Sequence, residues 1–314
     1  MEINQQADSA RSRSGIMTTA LILRIITGGL LSAVVLTVST FFLSSTQPSG
    51  IGSPQDLIVR IVSGVLYVAV MTPLARRVLH HRFLAIFLPL YITGTLADLI
   101  EAYFYTTLLT PVRLVAALII EGLPILAIAG IITWLIPASE AAHHEPGIGE
   151  AMRERSFFSW VWRIILAGAP YALIYLFFAS LVAPFEHAYY NDPAFIASLH
   201  TLVPSTAITI GLEVVRGILF VLALLPVITV IRKSRWSTGL YIALIGAVLE
   251  AWIPLLGMTS WPVMMRVGNV LELTGDACGR ALLITLLVAL PRLNHNQPAR
   301  KPTEPAESEF SGSA

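Results

Sequence analysis

Seven carboxylates and six arginines sit inside long apolar stretches of the chain: Asp98, Glu101, Glu121, Glu213, Glu250, Glu272 and Asp276, with Arg24, Arg60, Arg163, Arg216, Arg266 and Arg280. On insertion scales a charge at the bilayer centre costs about 2.5–3.5 kcal/mol, so thirteen facing lipid would cost on the order of 40 kcal/mol. They are expected to pair, to neutralise, or to line a wet cavity. Carboxylates desolvated in this way can load and release protons.

Their spacing groups them. Asn269, Glu272, Asp276 and Arg280 follow at steps of 3, 4 and 4, one stripe of a helix. Glu213 and Arg216 stand at i, i+3, and Asp98, Glu101 and Tyr105 share a face. The binding or proton-coupling candidates are therefore Asp98, Glu101, Glu121, Glu213, Arg216, Glu250, Asn269, Glu272, Asp276 and Arg280. Arg24 and Arg163 are structural ion-pair candidates or ties from helix to backbone, while Arg60 and Arg266, near span ends, are expected to snorkel.

Several chemistries are excluded. No lysine lies in any apolar run, so a retinal Schiff base has no attachment point, and all seven histidines fall in loops or tails, which removes a buried haem or zinc centre. A Ser-His protease lacks its base. The single cysteine, Cys278, allows no intramolecular disulfide. His80-His81 and His143-His144-Glu145 lack a spaced third ligand. No cofactor and no metal centre is expected, and no catalytic residue can be named. One enzyme reading survives: Asp98 and Asp276 are the two aspartates within the runs, and an intramembrane aspartyl protease needs two that share a proton. However, Leu273-Thr274-Gly275-Asp276 lacks the first glycine of the GxGD pattern, and Ala97 precedes Asp98 where a tyrosine is usual.

The elements that must position these groups are membrane helices. Of the 314 residues, 55% are hydrophobic and 12% charged, with a mean hydropathy of +0.75, where a soluble domain carries about 25% charged residues. Eight runs of suitable length occur at 17–44, 57–75, 83–108, 114–136, 157–182, 205–231, 236–257 and 262–290. The first is too long for a signal-peptide core and is read as a retained helix. With the N-terminus inside, Arg11, Arg13, Arg76, Arg77, Arg82, Arg153, Arg155, Arg232, Lys233, Arg235, Arg292, Arg300 and Lys301 fall in inner segments against Arg113 alone outside. Both termini are then cytoplasmic, and Trp134, Trp160, Trp162, Trp236 and Trp261 fall at span ends. The outer loop 183–204 is rich in aromatic residues and is expected to lie on the interface or to cap a vestibule. Pro73, Pro89, Pro124, Pro170, Pro226 and Pro254 are expected to kink their helices.

The chain also repeats itself. Arg24-Ile25-Ile26 with Gly29 matches Arg163-Ile164-Ile165 with Gly168; Gly64, Leu66, Val68 and Pro73 match Gly217, Leu219, Val221 and Pro226. Glu101-Ala102 matches Glu250-Ala251, Pro111-Val112 matches Pro262-Val263, and Glu121 matches Glu272. The offsets, between 139 and 153 residues, change only between helices. An even number of helices per unit makes the repeat parallel, as in transporters whose sites lie between repeats near the midplane. Asp98, Asp276 and Arg216 align with Ala247, Ile125 and Ser63, so charge has diverged. Shared charges are expected to hold the fold and unshared ones to carry the specific task.

The expected fold is an all-α integral membrane protein of eight transmembrane helices in two tandem parallel four-helix repeats. Its segments are a cytoplasmic N-terminal stretch at 1–16, a first repeat at 17–137, a cytoplasmic linker at 138–156, a second repeat at 157–291 and a disordered cytoplasmic tail at 292–314. The expected function is a multi-pass transporter or permease of the cell membrane for a small polar or ionic solute, with proton coupling through Glu121, Glu272 and Asp276 as a further option. The alternatives are a non-catalytic membrane subunit or sensor, and a membrane-embedded enzyme acting on lipid or peptide. The implied partners are the lipid bilayer and a small solute, with a homo-oligomer or membrane complex left open; the balanced net charge of +1 gives no sign of nucleic acid.

Overall fold

The computed structural model describes residues 2–43, 53–143, 146–200, 202, 204–232, 234–259 and 261–290. The expected tail 292–314 lies outside them, as do His144, Glu145 and Lys233. The described residues form helices and turns, with no strand among them. In order these are α1 (Glu2–Leu43), α2 (Pro54–Arg77), α3 (Arg82–Tyr91), α4 (Ala97–Tyr105), α5 (Pro111–Leu135), α6 (Ile148–Arg153), α7 (Phe157–Gly168), α8 (Tyr171–Tyr190), α9 (Pro193–Leu199), α10 (Thr206–Ala223), α11 (Leu225–Val230), α12 (Arg235–Gly246), α13 (Ile253–Gly257) and α14 (Val263–Leu287). Short π segments, Ile92–Leu96 and Ala247–Trp252, join α3 to α4 and α12 to α13.

Local chemistry sets several of these boundaries. The hydroxyls of Ser53, Thr110, Ser156 and Ser234 accept from the backbone N–H three residues on, at 3.1–3.3 Å, and Pro54 and Pro111 open their helices where a missing N–H costs nothing. Pro170 divides α7 from α8. In the α12–α13 run, Pro254 removes the N–H that would reach the Glu250 carbonyl, and the ladder there shifts so that Ile253 N–H bonds Val248 O, five residues back.

Seven helical stretches are long and apolar enough to cross a membrane: 18–40, 54–75, 82–105, 111–135, 157–190, 206–223 and 235–257. The chain is thus a polytopic, all-α membrane protein. α14 has the length of a span but carries Arg266, Glu272, Asp276 and Arg280 and is not among the seven. It packs chiefly between α8 and α12. Its buried face holds Glu272, Asp276 and Arg280 beside Met265, Ala277, Ala281 and Ile284.

Two helix crossings are closed by glycine. A side chain on Gly64 would collide with the Gly29 carbonyl, and one on Gly217 with the Gly168 carbonyl, so α2 lies backbone to backbone on α1, and α10 on α7. Between the two halves of the chain, Leu74, Ile86, Leu90, Ile128 and Ile132 meet Leu224, Ile228, Ile245, Leu249 and Ile284 in one continuous apolar core. Tyr241 spans it, donating its hydroxyl to Val70 O at 2.7 Å.

The bundle has two distinct ends. At the linker end Ser139 N–H bonds Arg76 O at 2.7 Å, Arg232 pairs with Glu154 at 2.6 Å, and Trp160 Nε1 donates to Met152 O. At the opposite end Leu202 N–H bonds Tyr105 O at 2.6 Å, and Thr107 N–H bonds His200 O at 2.9 Å. The segment expected as an outer loop at 183–204 is largely helical: α8 runs on to Tyr190 through Pro184, and α9 follows. Pro184 is exposed within the helix, and transmembrane helices tolerate proline, so the aromatic run continues the span.

Candidate functional site

The charged residues of four segments converge on two guanidinium groups. Arg216, on α10, is buried at 2% exposure; its Nη1 donates to both carboxyl oxygens of Glu213 at 3.0 Å, and its Nη2 lies 2.8 Å from Glu101 Oε2 on α4. Arg280, on α14, is buried at 1% and forms a two-pronged pair with Glu250 in the second π segment, with Nη1 2.9 Å from Oε2 and Nη2 bonded to Oε1. Gly246 makes this pair possible, because a Cβ there would stand 2.7 Å from Arg280 Nη2 and 3.2 Å from Glu250 Oε1.

One aromatic ring lies between the arginines. The guanidinium carbons of Arg280 and Arg216 sit 3.9 and 5.7 Å from the Phe220 centroid, and Arg280 lies 5.4 Å from that of Tyr171. Tyr171 and Phe220 meet edge to face at 5.4 Å. Both rings are fully buried.

Asp276 is the exception in this network. It is 0% exposed, stands one turn before Arg280, and neither of its carboxyl oxygens has a hydrogen-bond partner. Arg280, Glu250, Arg216 and Glu213 are within electrostatic reach of it, but the two arginines are held by the glutamates. The Tyr171 hydroxyl lies among the same groups, also buried and also without a partner. Unmet buried polar atoms are rare in folded proteins, and clustered ones mark a place where something polar belongs. Two guanidiniums face four carboxyl groups here, Glu101, Glu213, Glu250 and Asp276, so the cluster carries a formal excess of two negative charges when all are ionised.

Acids continue from this cluster toward the end opposite the linker. Asp98, half-buried, lies within electrostatic reach of Glu101, Arg216 and Glu250. Glu272, at 7% exposure, is one turn from Asp276 and within reach of it and of Glu186. Glu186, on α8 and equally buried, accepts from Asn269 Nδ2 at 2.8 Å. Its carboxylate fills the space where Gly268 has no side chain, since a Cβ there would stand 2.8 Å from Glu186 Oε1. The Glu101 side chain is 38% exposed and connects the network to the surface.

The structure therefore brings together Asp98, Glu101, Glu213, Arg216, Glu250, Asn269, Glu272, Asp276 and Arg280. Glu121, exposed on α5, touches the cluster only through its electrostatic reach to Asp98, and Arg24 is exposed on α1 with no ion pair among the described residues. Both residues, expected to pair, to neutralise or to line a wet cavity, lie on the surface of the bundle. Arg163 is a backbone tie: its Nη1 donates to Leu287 O at 2.5 Å, and Arg155 donates to Val288 O and Ala289 O at 2.6 and 3.0 Å, so two cations hold the last carbonyls of α14. Arg60 reaches Leu36 O at 3.4 Å. Asp98 and Asp276 share no hydrogen bond, so the protease dyad is not formed.

Sequence reasoning missed Glu186, Tyr171 and Phe220. The signal for Glu186 was its helical register, one turn after Val182 and one before Tyr190. Phe220 was marked by its place one turn after Arg216 on the same helix. No protein-family model, curated protein or solved structure matches the chain.

Proposed function

We propose that the chain is a transporter of a small polar or ionic solute, with its site in the acidic cluster between the two halves and proton coupling through Glu272 and Asp276. The observation that carries this reading is Asp276: a carboxyl group wholly buried, in a network with excess acid, with neither oxygen bonded. A group placed only to hold helices together would be satisfied by one of the arginines beside it, and both are given to other acids. Intramembrane acids of this kind mark ion and proton pathways.

On this reading α14 is the eighth span, shielded from lipid by α8 and α12, and the linker end with its basic residues is cytoplasmic, as the excess of arginine there implies. The membrane is the cell membrane. The halves are parallel repeats, and this is supported by glycines that close the same two crossings: Gly29 with Gly64, and Gly168 with Gly217. The exposed Arg24 and Glu121 favour a second reading, a subunit of a larger membrane complex whose partner covers them.

The test is flux into proteoliposomes of the purified chain, reading protons with an entrapped pH dye and a panel of small ions and polar solutes, with and without a pH gradient. Flux of at least one solute or of protons, reduced tenfold or more by Asp276→Asn and by Glu272→Gln, is expected. Flux no greater than in protein-free vesicles would overturn transport in favour of the subunit, and flux above that level but equal in wild type and both variants would remove Glu272 and Asp276 from it.

A further inference from the structure

Two of the unmet polar atoms beside Phe220, Arg216 Nε and Arg280 Nε, are donors in guanidiniums already paired with carboxylates, and the others are acceptors. The acceptors are Asp276 Oδ1, Asp276 Oδ2 and Tyr171 Oη, three oxygens lying among the same charged groups in a fully buried place. We propose that they receive a primary ammonium group, R–NH3+, so that the solute carried is a small protonated amine; this rests on the transport reading above.

A primary ammonium presents three N–H donors and no acceptor. Its charge answers Asp276, a carboxylate within reach of both arginines and held by neither. A metal ion fits less well, because among the described residues no three carboxylate or imidazole groups converge closely enough to hold one. An anion would meet an excess of carboxylates. The protein itself shows that cations are tolerated against these rings, since Arg280 and Arg216 both rest on Phe220. The acids Glu272 and Glu186, with Asn269, extend from Asp276 toward the end opposite the linker, so a cation entering there meets a carboxylate at each turn of α14 before it reaches the three acceptors. Glu186 is thereby assigned to the entrance, and Tyr171 to the site.

Ethylammonium is the probe. The purified full chain is melted in detergent at constant ionic strength with ethylammonium, tetraethylammonium or sodium chloride, and the same ethylammonium is used for proteoliposome uptake. Ethylammonium is expected to raise the Tm of wild type and of Glu140→Gln, an exposed linker variant, while tetraethylammonium, which has no N–H, and sodium do not. Asp276→Asn should abolish the shift. Tyr171→Phe keeps the ring and removes one acceptor, so the concentration giving half the shift should rise roughly tenfold or more. Should Tyr171→Phe fold poorly, Glu186→Gln supplies the kinetic readout: slower ethylammonium uptake. No shift with ethylammonium, an equal shift with sodium or tetraethylammonium, or unchanged binding by Tyr171→Phe would overturn the assignment. Asp276-dependent flux of protons or of another solute in that event leaves transport standing and removes only the amine; absence of any such flux removes both.

Discussion

Beside the Gly29–Gly64 crossing of the first half lies Ser63, whereas beside the Gly168–Gly217 crossing of the second lies Arg216, at the equivalent place 153 residues on. The same contrast recurs in the last helix of each half. Ile125 and Ala129, at 4% and 0% exposure on α5, correspond at an offset of 151 to Asp276 and Arg280, at 0% and 1% on α14. Positions of the same depth and burial are apolar in one half and ionised in the other. Glu121 and Glu272 reverse the pattern: the residue type is kept, but the first is exposed and the second buried. At these positions the first half packs apolar side chains, and it enters the charge network through Asp98 and Glu101 of α4, so packing of this kind does not by itself require Arg216, Asp276 and Arg280. On the transport reading these three are a cost accepted for the solute.

The comparison can be broken at its strongest point first. Arg280→Ala leaves Glu250 buried without its partner and should destabilise the protein by about 3–5 kcal/mol, whereas the double variant Arg280→Met with Glu250→Leu should regain most of the loss. Equilibrium unfolding in mixed micelles measures both, and a loss below about 1 kcal/mol for Arg280→Ala would mean that the network is hydrated and not a dry pair. Next come the crossings: Gly64→Val and Gly217→Val force side chains against carbonyls and should each cost about 1–3 kcal/mol or more. Similar losses in the two halves are expected; a loss in one alone would end the equivalence of the crossings. The smallest effect belongs to Asp276→Ile, which gives the second half the residue of the first. It removes an unmet buried carboxyl group and should leave thermal stability unchanged or raise it by about 1 kcal/mol, while flux disappears. A large loss of stability there would make Asp276 a structural residue.

Part of this was legible in the sequence. The stripe Asn269–Glu272–Asp276–Arg280 and the pair Glu213–Arg216 lie within single helices, where spacing alone dictates proximity. The spans were equally legible, because apolar length is a local property. The pairings of Arg216 with Glu101 and of Arg280 with Glu250 were not, since they depend on which helices meet and at what rotation. Rotation also separates Glu121 from Glu272, which the sequence treats alike. Glu186 was hidden by its place in a segment expected as an outer loop, whereas α8 runs on through Pro184 to Tyr190.

The polarity of α14 bears on how the protein is made. On the eight-span reading this helix follows the other seven from the ribosome, and with four charged residues it is a poor candidate to partition into lipid alone. Partners for much of its polar face have by then been synthesised: Glu250 for Arg280, Glu186 for Asn269, and Arg155 and Arg163 for the carbonyls at its end. Its entry into the membrane is therefore a docking event upon earlier helices. A lesion in any of those partners should be felt first as a failure of the final helix to insert, before any loss in the finished protein.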